Sequence, residues 1–136
     1  MNPNDLADIY VQLWNDPDEE ARRRAVRELW APGGRQVLQA PQEMREQAAA
    51  LGFPAPLLEV RGHEELDARV TRAYTEFVAG GGYVFRLREA PVRLQDALSF
   101  GWEMVPAGGG DPVGGGREFL LLDPESRIRA DYQFID

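Results

Sequence analysis

The chain has 136 residues with a hydrophobic content of 43%, and its 15 basic against 23 acidic side chains leave a net charge of −8. Every basic residue is arginine and there is no cysteine, which excludes disulfides, thiol nucleophiles and Schiff-base lysines. The length predicts one domain, and the acidity opposes binding to nucleic acid or anionic membranes. With no apolar run of membrane-spanning length and no signal-peptide pattern at its start, a cytoplasmic protein is expected.

The first thirty residues are predicted to form two helices. Apolar residues recur at helical spacing along the first helix, with Asn4 as its predicted N-cap. A second helix is predicted to begin at Pro17 with Asp16 as its cap and to end before Pro32. Its arginine run, Arg22–Arg24, is interpreted as a solvated face paired with neighbouring acids.

An inserted segment follows, before the third main helix. Arg35–Gln39 is predicted to be a short strand, and residues 41–56 are interpreted as an added helix and loop, which we expect to cover the mouth of any cavity. After a strand over Leu57–Arg61, the third helix is predicted to begin at Gly62 and to end at the glycines of positions 80–82.

The remaining chain is predicted to be sheet. Strands are expected over Tyr83–Arg88, Arg93–Val105, Arg117–Leu122 and Arg127–Ile135, with a bulge expected in the second of them. Residues 106–116 are interpreted as a flexible hairpin connection because they are rich in glycine. Segregated helices and antiparallel strands predict a single α+β domain over residues 1–136.

Three segments in this order resemble the nuclear-transport-factor-2-like superfamily, specifically its SnoaL-like branch. They are Tyr10–Glu19 across the first two helices, Val60–Leu66 at the start of the third, and the terminal hairpin that ends in Asp131-Tyr132. The resemblance implies a cone-shaped α+β barrel in which three main helices pack against a bent, mostly antiparallel sheet around one deep apolar pocket. It also implies homodimers joined through the sheet and no cofactor.

Asp131 is the leading catalytic candidate on the last strand. Similarity to limonene-epoxide hydrolases implies a partner pair on a central strand, which falls on Gly101 and Glu103. The glycine removes the arginine of that pair, which argues against epoxide hydrolysis. Two orientations of this strand stay open: Glu103 faces Asp131 inside the cone, which we favour slightly, or Phe100 and Trp102 face inward and Glu103 faces outward.

A comparison with ketosteroid isomerases adds Tyr10 as a hydrogen-bond donor. The base aspartate of those enzymes falls on Ala40 here, so only the tyrosine of the first helix is retained as a catalytic candidate. The pocket wall is predicted to include eight further residues: Trp14, Trp30, Leu38, Tyr74, Phe77, Phe85, Arg129 and Gln133. His63, the only histidine, is interpreted as a structural residue at a helix start, so no metal site is predicted.

Two function hypotheses follow from these residues. The first is a cofactor-independent isomerase, cyclase, dehydratase or hydrolase that acts on an apolar or aromatic small molecule by carboxylate acid–base catalysis. The second is a non-catalytic domain that binds a hydrophobic ligand or serves as a dimeric accessory protein. A shared fold does not choose between them, because function depends on the site.

Overall fold

The computed structural model describes residues 1–136 as three main helices packed on one face of a single sheet, with a fourth helix that buries no residue. The helices are α1 (Pro3–Asn15), α2 (Glu19–Leu29), α3 (Gln42–Ala50) and α4 (Gly62–Ala73), the last continued by a π-helical turn over Tyr74–Ala79. The strands are β1 (Trp30–Leu38), β2 (Leu58–Arg61), β3 (Tyr83–Leu87), β4 (Val92–Leu94), β5 (Ala97–Pro106), β6 (Gly114–Leu122) and β7 (Ile128–Ile135). No helix combines the length and apolar character that crossing a bilayer requires.

The seven strands form one open sheet in the order β2-β1-β7-β6-β5-β3, with β4 added beside β5. All neighbours are antiparallel except β1 and β7, which are parallel. The predicted α+β architecture is therefore confirmed. We call the sheet face that α1 and α4 cover the inner face, and the opposite one the outer face.

The hydrophobic core lies between the helices and the inner face. Helical spacing places one apolar stripe of each main helix against the sheet, and strand alternation supplies the facing side chains. The core residues from both layers are Leu6, Val26, Leu66, Val70, Leu98, Phe100, Leu120 and Ile128, none more than 2% exposed. Each such side chain stabilises the fold by roughly 1.5–3 kcal/mol through its burial.

Both helix caps differ from those predicted. Asn2, rather than Asn4, caps α1, since its side chain accepts a hydrogen bond from the backbone N–H of Asp5. Asp18, rather than Asp16, caps α2. In the first case the helix begins at a proline, which lacks the N–H that a cap would otherwise have to satisfy.

The strands around the glycine-rich segment also differ from the prediction. The expected single strand Arg93–Val105 is two strands joined by a tight turn, in which Gln95 has a positive φ of 53°. Strand β6 begins at Gly114, so the connection spans residues 107–113 only. Glycine is required at position 116, where a Cβ atom would lie 2.6 Å from the Trp102 ring.

A β-bulge in the last hairpin decides which side chains of β7 face inward. Ile128 pairs with Leu122, but Ala130 pairs with Leu121, so Arg129 has no partner on β6. Ile128 and Asp131 both lie on the inner face as a result. Arg129 lies at the surface, where it forms a salt bridge with Asp96 at 3.2 Å, and its predicted place on the pocket wall is wrong.

Candidate functional site

A cavity of about 410 Å³ opens between α1, the end of α4 and the inner face of the sheet. This volume lies within the range of small-molecule sites. Its wall is mainly apolar and is contributed by helices and strands together: Val11, Trp14, Leu38, Phe77, Phe85, Trp102 and Met104. Four of these (Trp14, Leu38, Phe77 and Phe85) are among the residues that the sequence placed on the wall.

One end of this cavity is polar. Tyr10 from α1, Arg69 from α4, Glu118 from β6 and Gln133 from β7 all contribute to the wall there. Asp131 lies directly behind them, with no exposed surface. The predicted catalytic aspartate is therefore inside the cone but does not itself line the cavity.

Asp131 is held by donors from two other elements. The Tyr10 hydroxyl donates to Oδ2 of Asp131 at 2.6 Å, and Gln36 Nε2 donates to the same oxygen at 3.2 Å. Burial raises the pKa of Asp131, while the hydrogen bonds from Glu118, Tyr10 and Gln36 act in the opposite direction by stabilising the carboxylate. Burial, together with the charge of Asp131, raises the pKa of Tyr10, so its hydroxyl stays a donor.

Glu118 is the second buried carboxyl group, and it faces the cavity. Its Oε1 accepts hydrogen bonds from Trp102 Nε1 at 3.0 Å and from Gln133 Nε2 at 2.7 Å. Burial raises the pKa of Glu118 well above its usual range, and the nearby charge of Asp131 raises it further. Both effects favour the protonated form of Glu118.

The contact between the two carboxyl groups suits a single shared proton. Glu118 Oε2 and Asp131 Oδ1 are buried, and neither meets an N–H or hydroxyl donor of the protein. Two ionised carboxylates could only repel each other here, whereas one proton between them satisfies both oxygens. Glu118 and Asp131 thus form a carboxyl pair, with the more strongly raised pKa on the cavity-facing member.

The strand register brings this pair together. Along β6, Glu118, Leu120 and Leu122 share the inner face because side chains alternate. Glu118 lies opposite Gln133 and Leu120 lies opposite Asp131, so the two carboxyls are diagonal neighbours on adjacent strands.

Arg69 supplies a cation at the same end of the cavity. Its Nε donates to Gln36 Oε1 at 3.4 Å, and its guanidinium carbon lies 5.4 Å from the ring centroid of Trp14. Gln36 therefore connects Arg69 to Asp131 through its two amide atoms. Burial lowers the pKa of Arg69, but neighbouring Tyr10, Glu118 and Asp131 oppose that effect.

Glu103 does not belong to this site, which corrects the favoured prediction. Phe100 pairs with Glu118, so Phe100 and Trp102 face inward while Glu103 faces outward. On the outer face Glu103 accepts a hydrogen bond at 2.6 Å from Arg86. The apolar face of β5 is buried against the helices, because the free energy of burying two aromatic rings outweighs any gain from a second inward carboxylate.

Two further predicted wall residues lie elsewhere. Trp30 is wholly buried in the core, with its ring centroid 5.6 Å from that of Tyr10, and it does not reach the cavity. Tyr74 packs under the guanidinium of Arg22, whose central carbon lies 4.6 Å from its ring centroid. Arg22 is itself buried, rather than part of a solvated face.

Sequence reasoning missed Glu118, Gln36 and Arg69. The signal for Glu118 was its alternation with two leucines that are clearly core residues. Arg69 lies beside the apolar stripe of α4, one position before Val70, and such a residue is ordinarily solvated. Gln36 carried no signal, because a single amide in a strand becomes informative only when its partners are known.

His63 and the inserted helix α3 contribute nothing to the cavity wall. His63 Nε2 lies 2.8 Å from the carbonyl oxygen of Trp30, at the start of α4. No group of His, Asp and Glu side chains has the arrangement of a metal site. No residue of the inserted helix α3 lines the cavity, although Pro41 and Leu58, on either side of the insertion, do.

No family sequence model and no curated protein sequence matches the chain, whereas solved structures do. A candidate isomerase of the SnoaL-like family from Agrobacterium tumefaciens strain C58 is 28% identical, with 100% of this chain and 99% of that chain aligned and a TM-score of 0.77. A SnoaL-like protein of unknown function from Burkholderia thailandensis is 13% identical over 98% of this chain and 94% of its own, with a TM-score of 0.66.

A third structure supports the same fold. It is a nuclear-transport-factor-2-like protein of unknown function from Mesorhizobium loti, 17% identical over 100% of this chain and 95% of its own, with a TM-score of 0.61. At such identities the second and third structures show a common fold and nothing of a common activity.

Proposed function

We propose that this member of the nuclear-transport-factor-2-like superfamily, from its SnoaL-like branch, is a cofactor-independent isomerase that moves a proton within an apolar small molecule. The observation that carries the proposal is the buried Glu118–Asp131 carboxyl pair at the polar end of an apolar cavity. Similarity along the whole chain to a candidate isomerase of the SnoaL-like family supports it.

The shared proton lets Glu118 act as a base or an acid. When the proton lies on Asp131, Glu118 is a carboxylate at the cavity wall, and when it lies on Glu118, the same residue is an acid. Since Glu118 has no exposed surface, a substrate reaches Oε1 only when Trp102 or Gln133 gives up its hydrogen bond. A group that must both take and give a proton works best when its pKa lies near the working pH, and burial shifts the pKa of Glu118 in that direction.

The proposed reaction needs no other reactant. Glu118 removes a proton from a carbon beside a carbonyl or double bond, and the electron pair of the broken C–H bond moves into the conjugated system. The same residue then returns the proton to a different carbon, where the pair forms a new C–H bond. Neither protons nor electrons are gained or lost overall. In this scheme Asp131 keeps the proton that the pair shares at rest, so it is a positioning residue together with Tyr10 and Gln36.

The apolar wall supports this chemistry in two ways. It favours a hydrophobic or aromatic substrate, and it keeps water from the reacting carbon, where exchange with solvent would compete with return of the proton.

The test is a screen in D₂O, followed by NMR. Aromatic and terpene-like β,γ-unsaturated carbonyl compounds, each in a neutral form and a form with an added carboxylate, are incubated with the protein. We expect migration of the double bond for at least one compound, with part of the original hydrogen retained in the product. If compounds bind in the cavity but neither isomerise nor exchange hydrogen, the isomerase proposal is wrong.

A non-catalytic binding protein is the second candidate. It is favoured by the position of Asp131 behind the wall and by the donors that already occupy Glu118 Oε1. Under this alternative the carboxyl pair is a structural polar network. Glu118→Gln would then leave ligand affinity within about twofold, and the wild-type protein would show no turnover in the same screen.

We also propose a homodimer through the outer face of the sheet. Phe119 and Phe134 are 42% and 48% exposed there, with ring centroids 5.5 Å apart in an edge-to-face pair. Exposed aromatic residues that contact each other favour a protein interface. Light scattering after size-exclusion chromatography should give a dimer mass for the wild type and a monomer mass for Phe134→Glu. A wild-type monomer at every concentration would exclude the dimer.

A further inference from the structure

We propose that the natural ligand of the cavity is a hydrophobic acid whose carboxylate binds Arg69. The inference rests on the proposed function insofar as it concerns the same cavity, but it predicts affinity and does not require turnover.

Arg69 is oriented toward the cavity but is not neutralised by the protein. Its Nε–H donates to Gln36 Oε1, and its guanidinium lies over Trp14. These contacts orient the guanidinium but leave its terminal nitrogens without a hydrogen-bond partner. Those nitrogens retain exposed surface where Arg69 lines the cavity. An arginine side chain cannot shed its charge at physiological pH.

No carboxylate of the protein forms a salt bridge with Arg69. Asp131 is engaged by Tyr10 and Gln36, and Glu118 by Trp102 and Gln133, so neither carboxyl group contacts the guanidinium. Glu76, exposed at the cavity mouth, has the smallest of the effects that raise the pKa of Arg69. A partly buried cation without a counterion in direct contact costs free energy, part of which a bound anion would recover.

Two arginines of the outer face differ from Arg69 because each has an acidic partner. Arg86 is paired with Glu103, and Arg117 is paired with Glu89, although both cations are substantially exposed and need a partner less. Unlike these two outer-face arginines, Arg69 has no acidic partner in the protein, so a ligand is the natural source of its counterion.

The geometry of the site favours a carboxylate over other anions. The planar fork of a guanidinium binds a carboxylate through two parallel hydrogen bonds. A phosphate would bring more charge than one arginine balances, beside a buried carboxyl pair in a chain of net charge −8. Because the rest of the wall is mainly apolar, the ligand beyond its carboxylate should be an aliphatic or aromatic body.

The experiment compares the binding of a naphthoate with that of its carboxamide and its methyl ester at neutral pH. Trp14 and Trp102 line the cavity, so quenching of tryptophan fluorescence reports binding. We expect the wild type to bind the acid about 10- to 100-fold more tightly than either neutral analogue, the effect of charge-assisted hydrogen bonds. In Arg69→Gln the acid and the neutral analogues should bind about equally, and Arg69→Lys should retain part of the preference for the acid.

Arg72→Gln is the matched control, because Arg72 is an exposed arginine of the same helix and does not line the cavity. It should keep the wild-type ratio of acid to amide affinity. Circular dichroism verifies the fold of each variant, and if Arg69→Gln does not fold, the wild-type ratio and Arg69→Lys still decide the question.

The outcomes separate the two proposals. If the neutral analogues bind as tightly as the acid, or if Arg69→Gln keeps the preference, the carboxylate proposal is wrong while the cavity remains a binding site. If none of the three compounds binds, the carboxylate proposal is wrong, and so is the proposal that the cavity binds a hydrophobic ligand. If the wild type binds the acid more tightly than the neutral analogues but isomerises no compound in the D₂O screen, the carboxylate proposal is supported and the isomerase proposal is wrong.

Discussion

Glu103 of β5 and Glu118 of β6 lie on neighbouring strands, but their carboxyl groups are in opposite environments. Glu103 lies on the outer face, 2.6 Å from the guanidinium of Arg86, whose side chain is 56% exposed. Glu118 lies on the inner face with no exposed surface and no cation in contact. The strand face alone therefore decides whether such a residue becomes a surface ion pair or a buried acid.

The energetic roles of the two residues differ accordingly. An ion pair that meets solvent contributes only about 0–1 kcal/mol, since water screens the charges and the side chains lose freedom. A carboxyl group without water can instead keep its proton, and its acidity then depends on its neighbours. The inner pair is thus the place in the sheet where a carboxyl group can hold a proton away from water, which is the property that the proposed catalysis needs.

The largest expected effect is the loss of turnover in Glu118→Gln. The amide keeps the size of the side chain but can neither accept nor return a proton. We expect the rate with any substrate found in the screen to fall by roughly 10²- to 10⁴-fold, the usual contribution of general acid–base catalysis. Steady-state kinetics on the purified variant measures this directly.

Glu103→Gln provides the control on the outer face. It removes a carboxylate from the adjacent strand and breaks only the contact with Arg86, so turnover should stay within about twofold of wild type. Equal losses in both variants would show that the two faces do not differ in the way described.

The next effect concerns the tyrosine that supports the pair. Tyr10→Phe removes the 2.6 Å hydrogen bond to buried Asp131, and the free energy of unfolding should fall by about 1.5–3 kcal/mol, as for a bond to a charged group. Urea denaturation measures the change.

Tyr132→Phe is the counterpart at a half-buried position away from the cavity. The Tyr132 hydroxyl accepts a hydrogen bond from Arg35 Nη2 at 2.8 Å. Its loss should cost less than about 1 kcal/mol, because water can replace the hydroxyl as an acceptor. A cost as large as that of Tyr10→Phe would count against a special role for the inner pair.

The smallest effect is a dependence of stability on pH. The folded protein raises the pKa of both Glu118 and Asp131, so the pair retains a proton that the unfolded chain releases. This contribution to stability is complete below the pKa of an unfolded carboxyl, about 4, and is lost as the pH rises through the folded value. Each proton changes the free energy of unfolding by up to about 1.4 kcal/mol per pH unit.

Glu118→Gln should flatten this decline, and Glu103→Gln should not. Urea denaturation at a series of pH values from mildly acidic to neutral gives the two slopes. A decline that is as steep in Glu118→Gln as in wild type would assign the bound proton to another group.

Local patterns predicted most of the elements. The inserted helix over residues 42–51, the start of the third main helix at Gly62 and the terminal hairpin were all predicted close to their observed bounds. These features follow from periodicity, glycine and turn residues, which act over a few positions. The caps at Asn2 and Asp18 were missed by two residues, because neighbouring Asn and Asp side chains satisfy the same local pattern.

Local sequence patterns were sufficient to predict that helices precede a mostly antiparallel sheet, that the fold resembles the SnoaL-like branch, and that Asp131 is a residue of interest on the last strand. The groups that meet Asp131 became known from the three-dimensional fold alone. The bulge at Arg129 and the pairing of β5 with β6 both depend on contacts between distant segments. The bulge shifts one face of β7 by one residue and so moves Arg129 to the surface. The packing of β5 against the helices places Glu103 on the outer face, and the pairing of β6 with β7 places Glu118, which local patterns did not single out, beside Asp131.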